Sequence, residues 1–213
     1  CGNGRLLRHF HGKGYEIIGI DFIKTAIEKI RSVDPKLQVE FGDIKSLRFA
    51  DATFSHIFAF GLHHNFEEED IKLTLAETSR VLQKDGLLCA SFRADNIQNF
   101  INDAFFSQNL GALPKKSKLM SENFHKINLK KKEVYKFLEE CGFTVLEYEQ
   151  IDNMPILYKL SVFRAKSHRE FNEQNGRKQG YLMNWLGSSI TAVLKACFPS
   201  QFFNLHVVLC QKK

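Results

Sequence analysis

Cys1-Gly2-Asn3-Gly4-Arg5-Leu6-Leu7, followed a short helical stretch later by Glu16-Ile17-Ile18-Gly19-Ile20-Asp21, is the passage on which the fold turns. A Gly-x-Gly turn lets the backbone come close to a ligand where any side chain would clash, and the helix after it offers free amide donors. Gly2 and Gly4 fit that role. The second run is an apolar strand ending in an acid, and in open α/β sheets ligands bind where strand ends and helix amino termini converge. An ionised carboxylate is a bidentate acceptor, so Asp21 is placed to take hydrogen bonds from both hydroxyls of a ribose. The dinucleotide fingerprint wants a third glycine where this chain has Leu7, which disfavours NAD and FAD.

Outward from that passage, short apolar runs alternate with amphipathic ones, the signature of strand and helix crossovers in a parallel sheet. Residues 5–10 read as a helix, 26–33 as a second helix closed by Asp34-Pro35, and 38–42 as a strand closed by Asp43. A carboxylate there can accept from an exocyclic amine such as that of adenine. Residues 54–60 (FSHIFAF) are a third strand and Gly61-Leu62-His63-His64-Asn65 its loop. A helix over 67–82, with acids in its first turn, ends at Lys84-Asp85-Gly86 before a strand over 87–92. The rhythm then breaks. Residues 95–128 and 152–183 read as insertions, the first with an amphipathic piece whose apolar side is Ile97, Phe100, Ile101, Ala104 and Phe105. Between them lie a helix over 130–141 and a strand over 143–151. A helix over 185–197, expected to cover the sheet, and a strand over 203–210 complete a single domain spanning 1–213.

The chain has 213 residues, 44% hydrophobic and 25% charged, ordinary values for a globular domain. No apolar run reaches the roughly 20 residues of a spanning helix, so no stable membrane insertion is expected. Cys1, Cys89, Cys141, Cys197 and Cys210 form no CxxC pair, which argues against zinc and against a disulfide framework. The expected setting is reducing and cytoplasmic, and no metal is expected. The net charge of +6 has an address: between Gly111 and Lys136 eight lysines stand against two glutamates, leaving the remainder neutral at 22 basic and 22 acidic residues. A pI near 9.0 therefore describes one segment and not a general nucleic-acid surface.

The run CGNGRLL, then GID, then FGDIKSLRFADATFSHIFAFGLHHNF, then ETSRVLQKDGLLCASFR resembles the class I S-adenosylmethionine-dependent methyltransferases. The resemblance covers residues 1 to about 93 in detail. It implies a Rossmann-like doubly wound α/β sheet of seven strands with a reversed carboxyl-terminal hairpin and an inserted helical substrate cover. It also implies S-adenosylmethionine as cofactor, with Gly2 and Gly4 as the last two glycines of its loop, Asp21 on the ribose and Phe22 beside the adenine. Asp43 and Ile44 match the adenine-contacting pair, and Phe60 to Leu62, Gly61 included, the loop passing the methionine portion. The family's first strand precedes Cys1, so the natural protein is expected to extend upstream.

Methyl transfer from a sulfonium is an in-line displacement, which needs alignment in a dry pocket and a base only where the acceptor must lose a proton. His63 and His64 are the candidate bases. The loop FGLHHNF carries no Asn-Pro-Pro-Tyr-like motif, which favours a carbon or oxygen nucleophile on a small molecule. Phe100, Phe105, Phe106, Met120, Phe124, Met154, Tyr158, Phe163 and Phe171 in the two insertions fit an aromatic or lipid-like acceptor, or simply pack. The lysine segment reads as a solvated face, as an attractor for an anionic substrate, or as a contact for RNA phosphates. Eight lysines without an arginine put RNA, of the wobble-uridine transfer-RNA type, second. DNA is not expected, and a cofactor-binding module without catalysis is the third alternative.

Overall fold

The computed structural model describes residues 1–106, 119–121, 124–170 and 180–213. Eight strands are present among them: β1 (Ile18–Asp21), β2 (Gln38–Phe41), β3 (Phe54–Ala59), β4 (Leu82–Arg93), β5 (Leu119–Ser121), β6 (Phe124–Lys126), β7 (Phe143–Ile151) and β8 (Leu205–Lys212). The α-helices are α1 (Arg5–His11), α2 (Lys24–Val33), α3 (Glu68–Val81), α4 (Ile97–Phe106), α5 (Lys131–Glu140) and α6 (Trp185–Cys197). Single 3-10 turns stand at His63–Asn65, Ile156–Lys159, Ser161–Phe163 and Lys166–His168.

The architecture is α/β with a mixed sheet. β1 and β2 form a parallel pair, while β3, β4, β8 and β7 form a second sheet in that spatial order. β3 and β4 are parallel, and β8 inserts antiparallel between β4 and β7, which is the reversed carboxyl-terminal pairing expected. The continuous seven-stranded sheet is not seen among the described residues: six strands fall into two blocks, and β5 and β6 form a separate hairpin. Across the gap, Phe10 of α1 stacks on Phe58 of β3 at 4.8 Å between ring centroids.

Each block has its own core. α2 buries Ile27 and Ile30 one turn apart against Leu7, Leu37 and Val39. α3 buries Ile71, Leu75 and Val81 on one stripe, and Ile71 and Leu75 meet Leu88 and Phe92 of β4, Val134 and Leu138 of α5, and Val208 of β8. Truncating a fully buried leucine such as Leu75 to alanine would cost about 2–5 kcal/mol. Glu68, Glu69 and Asp70 open α3 and Arg80 closes it, which complements the helix dipole.

Three sequence expectations need correction. β4 begins at Leu82, directly after α3, because Lys84-Asp85-Gly86 is a bulge inside the strand, with Asp85 at φ 60°; the pairing jumps from Phe54↔Leu82 to His56↔Leu87. α6 packs on the turns Ile156–Lys159 and Ser161–Phe163 instead of covering the sheet. α4 packs by the side opposite its apolar stripe: Asn96 just before it and Gln98, Asn99 and Asp103 within it are buried, Ile101 and Ala104 are half-buried, and Ile97 and Phe100 are exposed.

Candidate active site

Gly4 sits in the left-handed region at φ 68°, and its amide closes a turn onto the Cys1 carbonyl at 3.0 Å. An added Cβ there would meet Ile30 at 3.2 Å, so both conformation and space call for glycine. Gly2 donates its N–H to Asp21 Oδ2 at 2.7 Å, joining the glycine turn to the end of β1. The same oxygen accepts from the Cys1 ammonium at 2.6 Å, and Oδ1 accepts from Ile23 N–H at 2.9 Å. Burial pushes the Asp21 carboxyl upward, but these donors outweigh it and hold the group below its ordinary value.

Beside Asp21, the Phe22 ring lies 5.4 Å from that of Phe41, and both are exposed, 66% and 48%. Phe41, the last residue of β2, did not stand out in the sequence; the signal was an aromatic next to Asp43 with another aromatic beside Asp21. Two residues on, Asp43 Oδ1 caps Lys45 N–H at 2.9 Å, and Asp43 and Ile44 are half-buried. Their loop is pinned to α3, where Glu77 Oε1 accepts from Leu47 N–H at 2.6 Å and Arg80 donates to the Leu47 and Phe49 carbonyls. The Gly2–Asp21 pair, the Phe22–Phe41 pair and the Asp43 turn thus lie at the carboxyl ends of neighbouring strands.

At the end of β3, Gly61 donates to Ser91 Oγ of β4 at 3.0 Å, and Phe60 is exposed. The two histidines that follow part company. His63 is 1% exposed and stacks on Phe92 at 4.5 Å. Burial, helped by the charge of His64 and opposed by the Ser91 backbone, pushes its imidazole down to about 4. His64 is half-buried, and it too is pushed down to about 4, first by burial and then by the Arg93 and Lys126 cations, against the pull of Asp103. Both rings are neutral at neutral pH, and the Nδ1 of each is enclosed without a hydrogen-bond partner among the described residues. His63, sealed against Phe92, has no open face from which a base could reach an acceptor.

Over His64 stands a constellation that sequence reading missed. Arg93, the last residue of β4, forms a bidentate pair with Asp103 of α4 at 2.6 and 2.7 Å and also donates to Asn128 Oδ1. Asn128 Nδ2 donates to Asp103 Oδ2 at 3.3 Å. All three side chains are buried. Around them Asn96 Nδ2 donates to the Phe203 carbonyl, and Asn99 Nδ2 to the Ala94 and Asn204 carbonyls. The polar side of α4 is thereby riveted to the end of the sheet. A charge closing an apolar strand run, as Arg93 does, was the available signal; its partner ten residues on could only be recognised in three dimensions.

The remaining expectations are placed as follows. Tyr158 is buried and shares a 2.8 Å hydrogen bond with His168 Nδ1, so it packs inside the insertion. Phe171, the side chains of Phe105, Phe106, Met120 and Phe124, and Lys115, Lys116 and Lys118 lie outside the described residues. Lys131 lies over the Tyr148 ring at 3.9 Å, Lys136 reaches Glu140 at 3.8 Å, and the Lys130 N–H is capped by Glu133. These lysines serve α5 and its surface.

Residues 1–86 match the family model of the methyltransferase domain. That match, which covers the amino-terminal part of the chain, supports a class I S-adenosylmethionine-dependent methyltransferase. No curated protein matches it. In fold it is similar to a methyltransferase of this kind from Methanosarcina mazei, with TM-score 0.65 and 15% identity over all of this chain and 89% of the other. Methyltransferases from Archaeoglobus fulgidus (TM-score 0.63, 16% identity, all of this chain and 83% of the other) and Mesorhizobium loti (0.63, 14%, all and 88%) are similar too. S-adenosylmethionine is accordingly the expected cofactor of this methyltransferase. The residues present suit it: a carboxylate at a strand end beside a glycine turn, and an exposed aromatic pair open to a flat ring.

Proposed function

We propose that this methyltransferase moves the methyl group of S-adenosylmethionine onto a carbon or oxygen nucleophile of a small molecule, with His64 taking the proton. The cofactor, when bound, supplies an electrophilic methyl on a sulfonium. Gly2, Gly4 and Asp21 would hold its sugar and tail, Phe22 its adenine face, Asp43 and Ile44 the adenine edge, and Phe60 and Gly61 the methionine side.

The observation that carries the reading is the state of His64. Its ring is uncharged at neutral pH and only half-buried, whereas that of His63 is sealed. It stands after β3, under a buried Arg93–Asp103 pair. A neutral imidazole beside a fixed cation accepts a proton only when one is forced on it, as happens when the acceptor oxygen or carbon acid loses its proton in the transition state. Once formed, the imidazolium is drawn toward Asp103 and repelled by Arg93. Exclusion of water by α4 keeps the alignment on which an in-line displacement depends.

The test is transfer of labelled methyl from S-adenosylmethionine into separated metabolite, lipid and RNA extracts. Label in a metabolite or lipid fraction that His64→Ala reduces by roughly 100-fold or more, as loss of a general base does, supports the reading. Label in RNA, or full activity of His64→Ala, overturns it.

A further inference from the structure

We infer that α4, α6 and the turns between them form a face that lies on an anionic lipid surface. Two helices in this region present apolar residues outward. α4 buries its amides and Asp103 and exposes Ile97 and Phe100. α6 seats its inner side at Gly187, where an added Cβ would fall 2.8 Å from the Phe163 carbonyl. Its opposite side carries Trp185, Ser189, Ala192, Val193 and Ala196, with no charge among them. Trp185 is 79% exposed and Val193 60%.

The loop before α6 extends the same face. An antiparallel bridge between Arg164 and Met183, with Asn184 Nδ2 donating to the Val162 carbonyl at 2.6 Å, holds Leu160 and Val162 beside the start of the helix. Leu160, Val162 and Leu182 are exposed, and both α4 and α6 pack on the turn Ile156–Lys159. A surface helix of a globular protein ordinarily turns its apolar stripe inward; α4 does the reverse, and α6, which packs Ile190 and Leu194 on its inner side, adds Trp185 and Val193 to the exposed apolar surface, which marks a binding face.

Charge selects the occupant. Residues 153–169 and 180–200, which carry the turns, α6 and their rim, hold five cations, Lys159, Arg164, Lys166, Arg169 and Lys195, and no acid, with Asp152 and the exposed Glu170 at their borders. Arg164 is spent on the Tyr158, Lys159 and Arg169 carbonyls, and Lys195 on Asp152. Lys166 and Arg169 are exposed, and Lys166 follows Ala165, whose N–H bonds the Leu182 carbonyl at 3.0 Å. An apolar face with an indole at its edge and more cations than acids at its rim complements a headgroup boundary that is negatively charged. With 13 residues α6 is too short to span a bilayer, and it lies along the surface instead.

Trp185 is the single tryptophan of the chain, so it reports directly. The full chain is mixed with phosphatidylcholine vesicles with and without phosphatidylglycerol, and tryptophan emission and co-sedimentation are read. The expected result is a blue shift and sedimentation with phosphatidylglycerol that weaken as salt is raised. Lys166→Glu with Arg169→Glu lowers that binding by roughly 10-fold or more, and Val162→Glu with Val193→Glu abolishes it. All four positions are exposed, and retained far-ultraviolet dichroism shows that the variants fold. Unshifted emission without sedimentation overturns the inference. So does a concentration-dependent emission shift without lipid that Val162→Glu with Val193→Glu removes, since the face then meets a second copy. S-adenosylhomocysteine binding, measured on the same sample, reports on methyl transfer independently, because the lipid face does not require it.

Discussion

Asp21 and Asp103 are both carboxylates at the carboxyl edge of the sheets, and they are used in opposite ways. Asp21 accepts from the Gly2 and Ile23 amides and the Cys1 ammonium, its side chain is 13% exposed, and it stands next to an open aromatic pair. Asp103 is 1% exposed and closed into Arg93 and Asn128. In the first region the polar groups face outward. In the second they face inward, and the apolar groups face the solvent. The lesson is that the Asp21 region leaves an aromatic pair open beside its carboxylate, whereas α4 is held through polar contacts and leaves Ile97 and Phe100 exposed.

Breaking the sealed region should have the largest effect. Arg93→Ala removes the bidentate cation from the buried Asp103 carboxylate, and a loss of about 3–5 kcal/mol is expected in urea denaturation. Arg93→Met with Asp103→Leu removes both charges and should recover most of that loss. A double variant no more stable than the single one would mean that the pair itself, and not an orphaned charge, sets stability.

Acid sharpens the comparison next. His63 and His64 are held at about 4 in the folded chain, against about 6.5 unfolded. Between those values the unfolded chain binds more protons, so stability is full above about pH 6.5 and falls as pH drops toward 4. The loss is on the order of 3 kcal/mol per histidine, and His63→Leu should remove its share. A rate governed by His64 should stay level through pH 6.5, unlike one governed by an ordinary imidazole.

On the open side, Asp21→Ala should weaken S-adenosylhomocysteine binding by roughly 10- to 100-fold in calorimetry, the worth of hydrogen bonds to a charged group. Unchanged affinity would remove Asp21 from the cofactor site. The smallest effect is expected at Lys136→Ala, whose exposed pair with Glu140 is worth about 0.3–0.5 kcal/mol.

The parallel α/β order, the glycine turn, Asp21 and Asp43 were legible in the sequence, because strand ends and turns are local. Periodicity placed β3, β7, α3 and α5 almost to the residue. It misplaced the start of β4, because Lys84-Asp85-Gly86 has the composition of a turn and only pairing with β3 makes it a bulge. It also read α4 by its apolar stripe. Ile97, Phe100 and Ile101 do share a side, yet the side that packs is chosen by Arg93, ten residues before its partner Asp103, and by Phe203 and Asn204, which lie far off in the chain.

By itself, then, the sequence determined the α/β class and the methyltransferase resemblance, and it singled out the strand-end and turn residues proposed to meet the cofactor, since each rests on short-range pattern and spacing. Only the tertiary structure decided which histidine is sealed and which stands under Arg93. It alone set α4 with Ile97 and Phe100 outward and seated Gly187 of α6 against Phe163, leaving Trp185 and Val193 exposed. Burial and charge neighbourhood are properties of contacts between distant segments, and periodicity along one segment carries no record of them.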